Sequence, residues 1–534
     1  AIVGAVATGF FVLPALGFEG TLALALAVNL SLALASAALV PPHARRLAAA
    51  AAVGLLALAF VRPAPPWNLL RTDPVSRQPA PGRVAFYEVG RSATVLLLEN
   101  PFGGFRLRTN GLQDADIPPP GALLSGYTIG YWLSLLPVLA RPELESMLVV
   151  GLGGGLVLES VPPSVRTIDV IELEPEVIAA NQAIADRRAR DPLSDPRVRM
   201  HVNDARGALL LMDGGLDAIV SQPSHPWTAG ASHLYTREFF QLVGDRLAPD
   251  GVFVQWMGLA FVDEPLLRSL VATLSDVFPH VEVYQPSAAA GVLFVASHAP
   301  LDGVRDGPRA LARSPDFYRA YGIETREDLL ASLALDTAGA RRLGAGAPII
   351  HDDWNLLQMR SPGIRGRGLT TVTGRRVFAS ADERAAPPAG IDALRYVRTL
   401  LGAADEERAA RVAAALEEPV ARVGAQGLIA LSKRDLAGAG RHLEAALGLD
   451  PGNAEVRGAL LRLRRPRLAA GSAPVAALAF PDPTPGEAAL IEAWRRQRQG
   501  DWAGVRELDA SLAGIGGGDA LYAEAVRLRA GWRV

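Results

Sequence analysis

Five residues could together bind a nucleoside. Gly151-Leu152-Gly153-Gly154-Gly155 follows the apolar run Met147-Leu148-Val149-Val150 and precedes a helix-compatible stretch over 156–161. A buried strand entering such a turn brings bare backbone close to a ligand, and the first turn of the following helix offers unpaired N–H groups. Glu172 closes a second strand, 167–173, nineteen residues beyond Gly153, where a carboxylate can accept both hydroxyls of a ribose. A third strand, 197–202, ends at Asn203-Asp204, where an aspartate can take a hydrogen bond from an adenine amino group or cap the helix expected over 205–211. Gly151, Gly153, Gly155, Glu172 and Asp204 are therefore the candidate cofactor-binding residues. Nicotinamide dinucleotides and S-adenosyl sulfonium donors both use this grouping. The dinucleotide pattern needs a third glycine three residues after the second, and position 156 is leucine, so the sulfonium donor is favoured.

These residues need a scaffold that gathers strand ends along one edge. Further strands at 216–221, 252–257, 281–284 and 292–296, with helices between, give the βαβ rhythm of a doubly wound sheet, the last two forming an antiparallel edge. Upstream, Val84–Val89, Thr94–Leu98 and Phe105–Arg108 predict a small antiparallel sheet, followed by an Asn110-Gly111 turn and a helix around 123–139 that carries Tyr127 and Tyr131.

Composition narrows the chemistry. The 534 residues carry 53 basic and 55 acidic side chains and no cysteine, which removes thiolate metal sites, disulfides and cysteine nucleophiles and gives no chain-wide field for nucleic acid. Lys433 is the only lysine, so the Gly-Lys-Ser/Thr phosphate loop is absent.

The glycine turn, Ile171-Glu172-Leu173-Glu174, Asn203-Asp204-Ala205-Arg206, the run Asp217 to Trp227 and Gly251-Val252-Phe253-Val254-Gln255-Trp256 resemble the spermidine synthase family, above all its membrane-fused bacterial branch, over about residues 84–300. The resemblance implies an α/β fold with a Rossmann-like, class I methyltransferase-type core, a β-stranded N-terminal unit, and decarboxylated S-adenosylmethionine or S-adenosylmethionine as cosubstrate. By position, Glu172 would hold ribose and Asp204 adenine. Three acids of the family pattern are replaced: the two carboxylates of the fourth-strand loop by Gln222 and His225, and the glycine-loop aspartate by Gly154. A polyamine needs buried carboxylates to offset its desolvation, so ordinary spermidine synthesis is not expected.

The remaining chemistry is displacement at a sulfonium carbon by an amine whose proton must be removed. His225 leads as base in the fourth-strand loop with Gln222 beside it, and Tyr131 is the third catalytic candidate. Trp227, His233 and the Asp352-Asp353 pair of the His351-Asp352-Asp353-Trp354 segment are assigned to the acceptor pocket; no metal is expected.

The ends of the chain read differently. Residues 1–18 and 21–40 are uncharged runs split by Glu19, and a third apolar run covers 47–61; a twenty-residue helix spans about 30 Å, enough for a bilayer. The opening at Ala1 suggests a processed product that lacks earlier helices. Residues 1–61 are assigned to transmembrane helices, 62–83 to a proline-rich linker, 84–115 to the small β unit, 116–300 to the nucleoside-binding domain, 301–365 to an extension, 366–390 to a connector and 391–534 to a helical region. Within the last, 421–463 resembles one tetratricopeptide repeat, with a weaker unit over 487–532.

The expectation is an integral protein of the bacterial inner membrane with its soluble parts facing the cytoplasm. It alkylates an amine-type acceptor, touches a protein partner through its helical tail and binds no nucleic acid. The second reading is a catalytically lapsed homologue kept as a membrane assembly subunit.

Overall fold

Asn110 and Gly111 both hold positive φ (50° and 80°), the geometry of a two-residue type I′ hairpin, and this turn fixes the first sheet of the protein. In the computed structural model, which describes residues 2–38, 44–61, 63–72, 78–120, 129–226, 228, 230–286, 291–301, 303–364, 367–384, 386–469, 480 and 482–513, the chain forms two compact units. The first comprises 1–322 and 335–381, and the second 323–334 and 382–534.

In the first unit, β1 (Arg83–Val89), β2 (Thr94–Glu99), β3 (Phe105–Thr109) and β4 (Leu112–Ile117) form an antiparallel meander in chain order. Three of these strands match the expectation; β4 adds a fourth. Leu70, Leu96 and Leu98 form a small core under this sheet, with Phe18 and Trp67 packed against it.

The second sheet holds β5 (Ser146–Val150), β6 (Thr167–Glu172), β7 (Val198–Val202), β8 (Leu216–Ser221), β9 (Leu247–Gly258), β10 (His280–Tyr284) and β11 (Gly291–Ser297). Within this unit they lie in the order β10-β11-β9-β8-β5-β6-β7. Strands β5 to β9 pair in parallel; β11 runs antiparallel to β9 and β10 antiparallel to β11. This is the class I methyltransferase-like α/β fold. Leu148, Val149 and Val150 of β5 and Ile219 and Val220 of β8 are almost wholly buried, as both faces of a parallel sheet require. The chain winds outward from β5 to β6 and β7, then returns to place β8 on β5's other side. The crevice above the carboxyl ends of β5 and β8 is therefore the topological switch point, where such sheets bind ligands.

The N-terminal apolar runs form helical structure over Ile2–Ala38, broken at Gly17 (φ 67°, ψ −178°), and a second helix over Ala44–Phe60. Ile2–Ser36 is long and apolar enough to cross a membrane, whereas Ala48–Leu58 is a shorter apolar stretch. Between 366 and 390, expected as a connector, Thr370 caps a further helix, Thr371–Ala379. The expected helix around 123–139 is described over Ile129–Ala140, and Tyr127 lies outside the described residues.

The second unit is helical, with Asp392, Asp405, Glu418 and Asp435 each capping the helix that follows. Pro419–Ser432 and Leu436–Leu449 form a helix hairpin over the expected repeat. A Cβ on Gly427 would lie 2.7 Å from Leu443 Cγ, so glycine sets the closeness of that crossing. The expected second repeat is described to residue 513, and the rest lies outside the described residues.

Candidate active site

Gly151, Gly153 and Gly155 have φ of 91°, 50° and 76°. At Gly151 the need is also spatial: a Cβ there would stand 2.8 Å from the carbonyl oxygen of Gln222, the first residue after β8. The turn is braced on its outer side. Asn181 donates from Nδ2 to the Gly153 carbonyl at 2.8 Å, and Arg188 donates to the Gly154 carbonyl at 2.7 Å. Arg188 is fully buried and ion-paired with Glu159, whose own carboxyl burial pushes up despite that partner.

Glu172 accepts from the Leu152 N–H at 2.8 Å and from the Glu174 N–H at 3.0 Å. Burial raises its carboxyl pKa against the pull of these backbone donors. It therefore positions the glycine turn, a role the spacing argument did not foresee. Asp204 is exposed and caps the helix Ala205–Leu211 through the Gly207 N–H at 2.8 Å. The Asn203 N–H donates to the Glu172 carbonyl at 3.1 Å, which puts Asp204 next to the end of β6.

Across the crevice, the Gln222 N–H donates to the Val150 carbonyl at 3.0 Å, locking the loop after β8 beside the glycine turn. His225 is buried; its Nε2 lies 3.1 Å from the Gln113 carbonyl of β4 and 3.9 Å from Asp114 Oδ1, and its ring meets Phe261 edge-on at 4.3 Å. Ser224 donates to Asp114 Oδ1 at 3.2 Å, and Thr109 donates to Oδ2. Burial lifts the Asp114 carboxyl from near 3.8 to about 6; the hydroxyls of Thr109 and Ser224 oppose this, Glu172 adds to it and Arg108 opposes it. The sequence reasoning missed Asp114 because 112–117 was not read as a strand. The Asn110-Gly111 turn, with a strand already assigned on one side, was the signal for it.

Other sequence candidates fall elsewhere. Tyr131 is almost wholly buried, its ring 5.0 Å from that of Tyr321, and its hydroxyl bonds to Glu159 and is pushed well above its ordinary pKa by burial. It belongs to the Glu159–Arg188 cluster behind the glycine turn because the helix from Ile129 turns that face inward. Asp352 receives two hydrogen bonds from Arg206, both 2.7 Å, and one from Thr236 at 2.7 Å; the Arg206 guanidinium holds its pKa down to about 2. His233 Nδ1 stands 3.6 Å from the same carboxylate, so His233 and Asp352 do meet. Asp353 is exposed, and Trp227 lies outside the described residues.

Residues 132–297 match the family described as spermine/spermidine synthase domain. This segment resembles a spermidine synthase domain. Spermidine synthase 1 of Datura stramonium is 28% identical over 175 residues, 31% of this chain and 56% of the relative. The polyamine aminopropyltransferase of Shigella boydii serotype 4 is 26% identical over 175 residues, 32% of this chain and 60% of the relative. The matches thus span little more than half the length of these relatives. Among solved structures, spermidine synthase from Thermotoga maritima is similar at 22% identity and a TM-score of 0.40, covering 49% of this chain and 87% of that one. Outside the synthase domain, the glycine turn's neighbour β4 comes from a stretch that the family match leaves uncovered.

Proposed function

We propose that the chain is a membrane-anchored transferase of spermidine synthase type. It binds an S-adenosyl sulfonium donor, decarboxylated S-adenosylmethionine or S-adenosylmethionine, and alkylates an amine acceptor. One observation carries this reading: three positive-φ glycines and the carboxylate of Glu172 line the switch-point crevice of a spermidine synthase domain. Glu172 would take the ribose hydroxyls and Asp204 the adenine amino group through the oxygen not used in capping. Gln222 stands after β8 where the resemblance leads one to expect a carboxylate, which supports an acceptor other than that of ordinary spermidine synthesis. The apolar Ile2–Ser36 segment supports anchoring in the bacterial inner membrane, and the donor's origin supports soluble parts on the cytoplasmic side.

A second reading, a lapsed homologue retained for assembly, draws on Gly154. A Cβ there would lie 2.6 Å from Ala115 Cβ, so β4 leaves no room at this position for the aspartate that the resemblance leads one to expect. Calorimetric titration with each donor, followed by mass spectrometry of reactions containing cell extract, separates the two. The transferase reading expects binding and a thioether product, the lapsed reading expects binding without product, and absence of binding to either donor rejects both.

A further inference from the structure

The carboxylate of Asp114 stands where three elements converge. Its Oδ1 receives the Ser224 hydroxyl at 3.2 Å and lies 3.9 Å from His225 Nε2, both on the loop after β8. Its Oδ2 receives the Thr109 hydroxyl of β3. The next residue along β4, Ala115, is the one pressed against Gly154 of the glycine turn. Only 15% of the Asp114 side chain is exposed, and Glu172, a second buried acid, acts on it through space from the end of β6. The groups that face it are therefore Thr109 and Arg108 from β3, Glu172 from β6, and Ser224 and His225 from the β8 loop.

Two acids that repel one another in one crevice favour either a proton on one of them or a cation between them. We propose that Asp114, from the hairpin sheet rather than from the β8 loop, is the residue that binds the acceptor's amino group and takes its proton. This deepens the transferase reading and rests on it. The step balances without any further reagent. The bound ammonium first gives one proton to the Asp114 carboxylate. The freed amine lone pair then forms a bond to the carbon next to the sulfonium, the carbon–sulfur bond breaks with its electron pair passing to sulfur, a neutral thioether and the alkylated ammonium leave, and Asp114 releases its proton to solvent. With a carboxyl that titrates near 6, Asp114 is ionised and ready to accept at neutral pH. Ser224 and Thr109 hold the carboxylate in place, and His225, 3.9 Å from it, acts as a positioning residue.

The test uses the full chain in detergent, with 5′-methylthioadenosine as the nucleoside probe and butylamine, putrescine and spermidine as amine probes. Wild type with methylthioadenosine bound should bind at least one amine. Asp114→Asn should weaken that binding by about tenfold or more while leaving methylthioadenosine affinity within about twofold. The control Asp116→Asn, on the exposed side of the same strand, should change neither. Amine binding by wild type should fall as pH drops through about 6; Asp114→Glu should keep such a limb and Asp114→Asn should lose it. Equal amine affinity in wild type and Asp114→Asn, or a wild type that binds the nucleoside but none of the amines, overturns the role of Asp114. Failure of wild type to bind the nucleoside overturns the transferase reading itself.

Discussion

At the scale of single residues, Asp114 carries a cost that a test of stability can read. Its pKa is raised in the folded protein, so the folded state binds this proton more tightly than the unfolded chain does. The associated stability is fully present below about 4 and is lost as pH rises through about 6. At pH 8 the ionised, buried carboxylate therefore costs the fold up to about 3 kcal/mol, from roughly 1.4 kcal/mol per pKa unit. Asp114→Asn should accordingly raise the melting temperature at pH 8 and lose that advantage at pH 4; a lower melting temperature at pH 8 would show that Asp114 is a structural anchor. Asp352 has the opposite sign. Its carboxyl sits near 2, so its contribution is present above the ordinary aspartate range and lost as pH falls toward 2. The pair with Arg206 is more than a third exposed on the Asp352 side, so Asp352→Asn should cost only about 1 kcal/mol, measured by denaturant melts at neutral pH. The sequence marked Asp352 and Glu172 as acids of interest but not what they touch. Their partners, Arg206 and the Leu152 N–H, are 146 and 20 residues away in the chain.

At the scale of elements, the glycine turn is held from two sides. Arg188 ties the Gly154 carbonyl to Glu159, and removing one partner of a buried pair strands the other charge. Arg188→Met should therefore destabilise by about 3–5 kcal/mol in denaturant melts. On the other side, Ala115 of β4 abuts Gly154. Gly154→Ala should force that strand off the turn and cost about 1–3 kcal/mol, and Ala115→Gly in the same chain should recover part of the loss. Additive losses in the double variant would show that the two residues do not press on each other. The parallel strands were legible because Val149-Val150 and Ile219-Val220 are short β-branched runs closed by turns, and the antiparallel edge of β10 and β11 was legible in the same way. β4 was not, because Gln113, Asp114 and Asp116 put polar groups along most of its length, and a strand that faces a polar crevice lacks the apolar alternation by which strands are read. The surroundings of Tyr131 were not legible for a related reason: helix periodicity gives a face, and only the fold says which side of the sheet that face meets.

At the scale of the whole molecule, composition marked the two ends clearly. The uncharged N-terminal run folds into helix, with the break at Gly17 rather than at Glu19, because a backbone with φ 67° interrupts a helix where a single charged side chain does not. If that segment anchors the protein, the full chain should sediment with membranes and resist extraction by carbonate, and a chain lacking residues 1–61 should not. The helical tail was legible as a helix pair because Gly427 and Leu443 set a close crossing. The central claim is that an adenosine moiety lies over the carboxyl ends of β5 and β6. Its most direct test is a crystal structure with decarboxylated S-adenosylmethionine or methylthioadenosine bound: the account predicts ribose hydroxyls on Glu172 and adenine beside Asp204, and a ligand seated away from the glycine turn, with Glu172 touching only backbone N–H groups, would contradict it.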